Sequence, residues 1–147
     1  MVDLIVSFND PLKGPTALMH ENTDGNKDPA LPLKVAVKSQ LTLSLMDKEF
    51  TIKEADAVLP LDNKIAFCFL FTVNSDKGPI TGSISYILPQ SENVNLYRMI
   101  PSLKEKLSII SGKFKKWTYK SELTSLPKEF QNLLTSSILL GSNIEVE

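Results

Sequence analysis

The sequence predicts an α+β fold, with elements in the order β-β-α-β-β-β-α-α. Segments with strand composition are separated by turns rich in glycine, proline and asparagine. Apolar residues at spacings of three and four mark the helices, most clearly between residues 96 and 114. Because 147 residues suit one domain, we expect a single domain over 1–147, with 138–147 as a flexible or extended tail.

The first two strands are predicted to form a hairpin. Residues 2–8 alternate in polarity, residues 9–15 supply turn chemistry, and residues 16–21 form the second strand. A polar loop then leads to a helix start, with Asp28 as N-cap and Pro29 at the first helical position. The apolar stripe predicted for this first helix comprises Leu33, Val35, Ala36, Val37, Leu41 and Leu45.

Three further strands are predicted in succession as an antiparallel meander. They cover residues 49–59, 64–73 and 80–88. The middle strand is almost continuously apolar, which is typical of a strand covered on both faces. The first carries charges of both signs, as expected of an edge strand, and its exposed edge is open to a partner.

A long amphipathic helix and a shorter one are predicted to follow. The apolar residues of the long helix are Leu96, Met99, Ile100, Leu103, Leu107, Ile110 and Phe114. Pro101 lies within it and is a candidate position for a kink. The shorter helix is predicted from about residue 125 to residue 137, and its inward-facing side chains are Phe130, Leu133 and Leu134.

Residues required by familiar enzyme chemistry are missing. His20 is the only histidine and Cys68 the only cysteine, so His/Cys metal clusters, Cys-His pairs and Ser-His-Asp triads cannot be assembled. The six glycines form neither of the familiar phosphate-binding patterns. Glu54 and Asp56 are interpreted as solvated charges of an edge strand rather than as a catalytic pair. We therefore predict no catalytic residue, metal or cofactor.

The overall charge predicts no general attraction to nucleic acid or membranes, since the net charge is −1. No stretch approaches the roughly 20 apolar residues that span a bilayer, and the first eight residues lack the features of a signal peptide. We therefore expect a cytoplasmic protein. Cys68 lies in an apolar run and is expected to be a core thiol.

Segment 113–120 is the most polarised part of the chain. Its lysines alternate with aromatic residues, a pattern that can contact anionic lipid, an acidic protein or nucleic acid. Because the chain has no excess of positive charge, with a net charge of −1, nucleic acid is the least favoured of these partners. The simpler interpretation is that the lysines solvate the helix end while Phe114 and Trp117 pack inward. The residues retained as candidates for contact with an anionic surface, including weak peripheral membrane contact, are Lys113, Lys115, Lys116 and Lys120.

Three segments carry a resemblance to a known family: FNDPLKGP at 8–15, LKVAVKSQLTL at 33–43 and ISYILP at 84–89. Together with the order of elements, they resemble the longin and roadblock-related proteins of archaea that have many eukaryote-like small GTPases. Roadblock proteins proper begin with a helix, so longin is the better match. The resemblance covers nearly the whole chain and implies a five-stranded antiparallel sheet with one helix on one face and two on the other.

The resemblance also implies a non-enzymatic protein-binding platform. In that family, longin and roadblock domains pair through a sheet edge or through their first helices, and the pairs bind Ras-like GTPases or belong to trafficking complexes. It thus implies a regulator or scaffold of a small Ras-like GTPase, in a homo- or heterodimer. An arginine finger would have to be Arg98, the only arginine, for which a solvated or ion-paired role is preferred. The implied interface candidates are Leu33, Val37, Gln40, Leu41, Thr51, Lys53 and Ala55.

Other functions remain open from the sequence. A structural subunit of a vesicle-trafficking or tethering complex would use the same fold without contacting nucleotide. A profilin-like actin binder has a similar length and sheet, but that fold usually begins with a helix. A small-molecule sensor of the PAS or GAF type would need a cavity between sheet and helices.

Overall fold

The computed structural model describes residues 1–46 and 54–144. The helices are α1 (Leu31–Met46), α2 (Asn93–Phe114) and α3 (Lys128–Leu134), and α3 continues into a π-helical turn at Thr135–Leu139. The strands are β1 (Asp3–Asp10), β2 (Gly14–Asn22), β3 (Glu54–Leu61), β4 (Lys64–Ser75), β5 (Gly78–Pro89) and β6 (Thr118–Tyr119). Apart from the two-residue strand β6, this is the predicted order of elements.

The sheet has the strand order β2-β1-β5-β4-β3, and all these neighbours are antiparallel. The predicted hairpin is β1–β2, and the predicted meander is β3–β4–β5. As predicted, β4 has strands on both sides and is largely buried, whereas β3 is an edge strand. The short strand β6 pairs in parallel with the end of β4, where Thr118 is opposite Asn74. Two residues are too few to produce an alternation pattern, which is why β6 was not predicted.

The two faces of the sheet belong to separate hydrophobic clusters. Successive side chains of a strand point to opposite faces, so Leu4 and Val6 join the larger cluster and Ile5 the smaller one. The larger cluster includes the buried side chains of α2 and α3, and the smaller one includes Leu31 and Val35 of α1. One helix therefore covers one face and two helices cover the other, as the resemblance implied.

Helix α1 begins two residues after its predicted start at Pro29. The carboxylate of Asp28 accepts the amide N–H of Ala30 at 3.0 Å, and its backbone carbonyl accepts that of Leu31 at 3.1 Å. Asp28 therefore stabilises the turn before the helix instead of serving as its N-cap. Pro32 occupies the second helical position, where its missing N–H breaks no intrahelical bond.

The two C-terminal helices also differ slightly from their predicted bounds. Helix α2 contains Pro101 and continues on both sides of it. Helix α3 begins at Lys128 rather than near residue 125, because Pro127 disfavours helical geometry in the residue before it. In the described ranges, no helix combines the length and the hydrophobicity required to cross a membrane.

Gly82 lies where two aromatic rings meet above the sheet. It is paired with Phe8 of β1 and with Phe71 of β4, and these rings meet edge to face with centroids 6.2 Å apart. A Cβ atom at Gly82 would lie 2.7 Å from the ring of Phe71 and 2.9 Å from that of Phe8. The position therefore requires glycine because of this close approach.

Gly82→Ala is expected to lower the free energy of unfolding by about 1–3 kcal/mol, since the added methyl group overpacks the core. Equilibrium urea denaturation measures the change. Gly112→Ala in α2 is the matched control, because a Cβ there meets no heavy atom within 4 Å, and alanine is the better helix former. Equal stability of the Gly82→Ala variant and the parent protein would contradict the close approach.

Candidate protein-binding surfaces

Three large aliphatic side chains of α1 point away from the sheet. Leu33, Val37 and Leu41 are 62%, 38% and 58% exposed, and their spacing of four places them in one row along the helix. We call these three residues the outer row. The opposite side of α1 is buried against the sheet, through Leu31, Val35, Ala36, Ser39 and Gln40. In the described part of the chain, nothing covers the outer row.

The predicted apolar stripe of α1 is therefore divided between two sides of the helix. Val35 and Ala36 face the sheet, whereas the outer row faces solvent. Gln40, a predicted interface residue, is only 7% exposed, and its side-chain amide donates to the carbonyl of Thr81 at 3.5 Å. Because Gln40 faces inward, the surface formed by the outer row does not include it. The side chain of Leu45 lies outside the described residues.

The open edge of β3 is the second predicted interface element. Ala55 is half-buried in β3 and pairs with Leu70 of β4. Pro60 has no N–H to donate, and its carbonyl already accepts a hydrogen bond from the Lys38 ammonium group at 2.9 Å. The second half of the β3 edge is therefore poorly suited to pair with another strand. Thr51 and Lys53 lie outside the described residues.

A groove of about 590 Å³ separates the C-terminal half of α2 from α3, on the opposite face of the sheet from α1. Phe130 stacks on Phe114 with ring centroids 4.1 Å apart and meets Trp117 at 5.7 Å, so the floor is aromatic. Phe114 and Trp117 thus pack inward, as predicted. We call this site the α2–α3 groove; its lining comprises Ser108, Ile109, Gly112, Lys113, Lys116, Trp117, Glu129, Phe130 and Leu133.

The four lysines predicted to contact an anionic surface lie at the end of α2 and just after it. Lys113 and Lys116 line the α2–α3 groove. Lys115 and Lys120 are exposed and do not belong to its lining. The structure thus brings two of the four together beside an apolar floor, which lysine spacing alone did not indicate.

A buried hydrogen-bond cluster anchors the segment that follows α2. The carboxylate of Asp10 accepts a hydrogen bond from the Tyr119 hydroxyl at 2.5 Å. It also accepts hydrogen bonds from the backbone amides of Leu12 and Lys13 at 2.8 and 2.9 Å. Burial alone would raise the pKa of Asp10, but these hydrogen bonds lower it to about 2. Burial and the contact with Asp10 also raise the pKa of Tyr119. The two partners are 109 residues apart, so no local sequence pattern indicates the contact.

A second buried carboxylate, Asp3, connects three strands. One oxygen contacts His20 at 2.8 Å and accepts the Asn22 amide at 2.7 Å, and the other accepts the Lys64 ammonium group at 3.0 Å. Burial opposes ionisation, but the hydrogen bonds from Asn22, His20 and Lys64 lower the pKa of Asp3 overall. Both oxygens are engaged by the protein, which is the arrangement of a structural carboxylate.

Other residues with reactive side chains lie apart from one another. Cys68 is buried beneath α1, and burial raises the pKa of its thiol to about 11, which confirms the predicted core thiol. Glu54 accepts hydrogen bonds from serines of α2, and Asp56 pairs with Lys104 at 3.2 Å. Arg98 is exposed on α2. Within residues 1–46 and 54–144, no group of three His, Cys, Asp or Glu residues could hold a metal ion.

Comparison with known proteins bears on the fold. No protein-family model and no curated protein matches the sequence. Among solved structures, the longin domain of K. lactis Lst4 is similar, with 17% sequence identity and a TM-score of 0.62. The match covers 97% of this chain and 100% of that domain. Together with the order of strands and helices, this similarity shows that the chain has a longin-like fold.

Proposed function

We propose that this chain is a non-enzymatic protein-binding domain that regulates or scaffolds a small Ras-like GTPase through the outer side of α1. The observation that carries the proposal is the outer row, Leu33, Val37 and Leu41, on a helix whose other side is already packed. Contiguous exposed apolar side chains on a soluble domain mark an interaction surface. The longin-like fold adds support, since the sequence resemblance implies pairing through the first helix and binding of Ras-like GTPases.

Two lysines of α1 near the outer row are bound by the end of β3 and the turn that follows it. Lys34 pairs with Asp62 at 3.0 Å, and Lys38 donates to the Pro60 carbonyl. An apolar patch with charges at its margin is the usual arrangement of a protein interface. A standard interface buries roughly 1,200–2,000 Å², which exceeds what three side chains provide. A bound partner must therefore also contact neighbouring elements, and the first half of β3, with Ala55, is the adjacent candidate.

The double variant Leu33→Glu/Leu41→Glu is expected to weaken GTPase binding by roughly tenfold or more, because it places carboxylates in the apolar centre of the contact. Isothermal titration calorimetry against the host's small GTPases, loaded with GDP or with a GTP analogue, measures the effect. Both positions are more than half exposed, so the variant should remain folded. An affinity that differs between the GDP-loaded and the GTP-analogue-loaded GTPase would favour regulation over scaffolding.

The matched control is Val94→Glu/Tyr97→Glu, which makes the same kind of change at exposed positions of α2, 59% and 56% accessible. It should bind like the unmodified protein. If the α1 variant also bound with full affinity, or if none of the GTPases bound in either nucleotide state, the proposed function would be wrong.

The open edge of β3 supports a second candidate: pairing with another longin or roadblock domain, as a structural subunit of a trafficking or tethering complex. Edge strands can pair with a strand from a partner, and the part of β3 around Ala55, from Glu54 to Leu59, contains no proline. Light scattering tests the homodimeric case. A strict monomer at high micromolar concentration would exclude self-pairing. GTPase binding of equal affinity in the GDP and GTP-analogue states would favour this candidate over regulation.

A further inference from the structure

The α2–α3 groove has the form of a site for a peptide side chain. Its apolar lining comprises Ile109, Trp117, Phe130 and Leu133. The floor is recessed between two helices, and its volume falls in the usual range of ligand pockets, about 300–1,000 Å³. Trp117 is half-buried, and within residues 1–46 and 54–144 no hydrogen bond engages its indole N–H. Partly exposed tryptophans with a free donor are frequent anchors of binding sites.

Two lysine ammonium groups, those of Lys113 and Lys116, and one carboxylate, that of Glu129, line the groove beside this floor. Lys113 and Lys116 are three positions apart and line the same groove. By contrast, Lys34 and Lys104 each contact an aspartate, and Lys106 donates to a backbone carbonyl. Among the residues that the structure describes, no carboxylate forms a salt bridge with Lys113 or Lys116. With two lysines and one glutamate in its lining, the groove combines an apolar floor with an excess of positive charge, although the protein as a whole has a net charge of −1.

Gly112 leaves the α2 side of the groove open. Glycine is among the least favoured residues inside a helix. A Cβ at Gly112 would meet no heavy atom within 4 Å, so packing within the described protein does not require glycine. The missing side chain instead deepens the groove beside Lys113.

We propose that the α2–α3 groove binds an acidic peptide segment of a partner protein, in which a bulky apolar side chain lies between carboxylates. The apolar side chain fills the groove over Phe130 and Trp117, and the carboxylates contact Lys113 and Lys116. A flat bilayer is less suitable, because membrane-binding surfaces present protruding apolar residues, whereas these are recessed. The site lies on the opposite face of the sheet from the outer row, so it is separate from the proposed GTPase contact.

Fluorescence anisotropy with short fluorescein-labelled peptides, in which a central Phe, Leu or Trp is flanked by glutamates, tests the proposal. The unmodified protein should bind these peptides at least roughly tenfold more tightly than the variant Lys113→Glu/Lys116→Glu does. The variant Lys27→Glu/Lys38→Glu changes the net charge equally at exposed sites away from the groove, and it should bind normally. Replacing the central apolar residue of the peptide with alanine should also weaken binding.

Gly112→Leu is the second test, because it fills the groove without meeting another atom of the described protein at its Cβ. We expect peptide binding to fall by roughly tenfold or more while the melting temperature does not decrease. Leu33→Glu/Leu41→Glu should leave peptide binding unchanged, which separates this site from the proposed GTPase surface.

Three results would overturn the proposal. The first is binding of acidic peptides that is no tighter than binding of lysine-flanked peptides, and the second is unchanged binding in both groove variants. The third is binding of phosphatidylserine-containing vesicles that requires Lys113 and Lys116 while no peptide binds, which would assign the groove to a membrane surface.

Discussion

Phe114→Ala is expected to lower the free energy of unfolding by about 3–5 kcal/mol, the usual range for removing a buried phenylalanine ring. Phe114 is fully buried at the end of α2. Its ring lies 4.1 Å from that of Phe130, 5.3 Å from Phe71 and 5.6 Å from Trp117, measured between centroids. One side chain thus connects α2, α3 and the sheet, and equilibrium denaturation in urea measures its contribution.

The control for this prediction is Phe114→Leu, which keeps most of the side-chain volume and should cost less than Phe114→Ala. Because the stacked contact with Phe130 connects α3 to α2, hydrogen exchange in the Phe114→Ala variant should accelerate more in α3 than in α1. A loss of stability below about 1 kcal/mol would show that neighbouring side chains fill the cavity, contrary to the close packing of the ring cluster.

Asp10→Ala is expected to lower the free energy of unfolding by about 3 kcal/mol. It removes the acceptor of three hydrogen bonds and leaves the buried Tyr119 hydroxyl without its partner. Tyr119→Phe removes only one of these bonds and should cost less. A double-mutant cycle between the two positions isolates their interaction energy, and a value near zero would contradict a direct contact.

The same contact predicts how stability depends on pH. The pKa of Asp10 is about 2 in the folded protein, below its ordinary value of 3.8. A carboxyl group with a lowered folded-state pKa stabilises the protein above its unfolded pKa, and this contribution disappears as the pH falls through the folded value. Urea denaturation between about pH 5 and pH 2 should therefore show a steeper loss of stability in the unmodified protein than in Asp10→Asn. Equal slopes would contradict the lowered pKa.

The sequence predicted the sheet well because its strands carry clear one-dimensional patterns. The near-continuous apolar run of β4 indicated a strand covered on both faces, and the mixed charges around Glu54 indicated an edge. Helix α1 was harder to interpret, since apolar residues lie on two opposite sides of it. Leu33 and Val37 have the same spacing of four residues as Leu31 and Val35, so only the position of the sheet decides which pair is buried.

The candidate sites were predicted only in part, because they depend on contacts between distant segments. The residues of the outer row are exposed, and their role as an interface stays a prediction. Gln40 was predicted with them, but it faces inward, where its side-chain amide donates to Thr81, 41 residues away in the sequence. The α2–α3 groove required the packing of Phe130 on Phe114 and of Trp117 beside both rings. Lysines alternating with aromatic residues indicated a basic surface, but the pattern carries no information about a cavity.

The separation of the two apolar layers has a consequence for assembly. Since α1 covers one face of the sheet and α2 and α3 cover the other, a partner that occupies the outer row leaves the α2–α3 groove uncovered. The two proposed ligands would therefore contact opposite faces of the sheet. A domain that bound both proposed ligands would hold them at high effective concentration relative to each other.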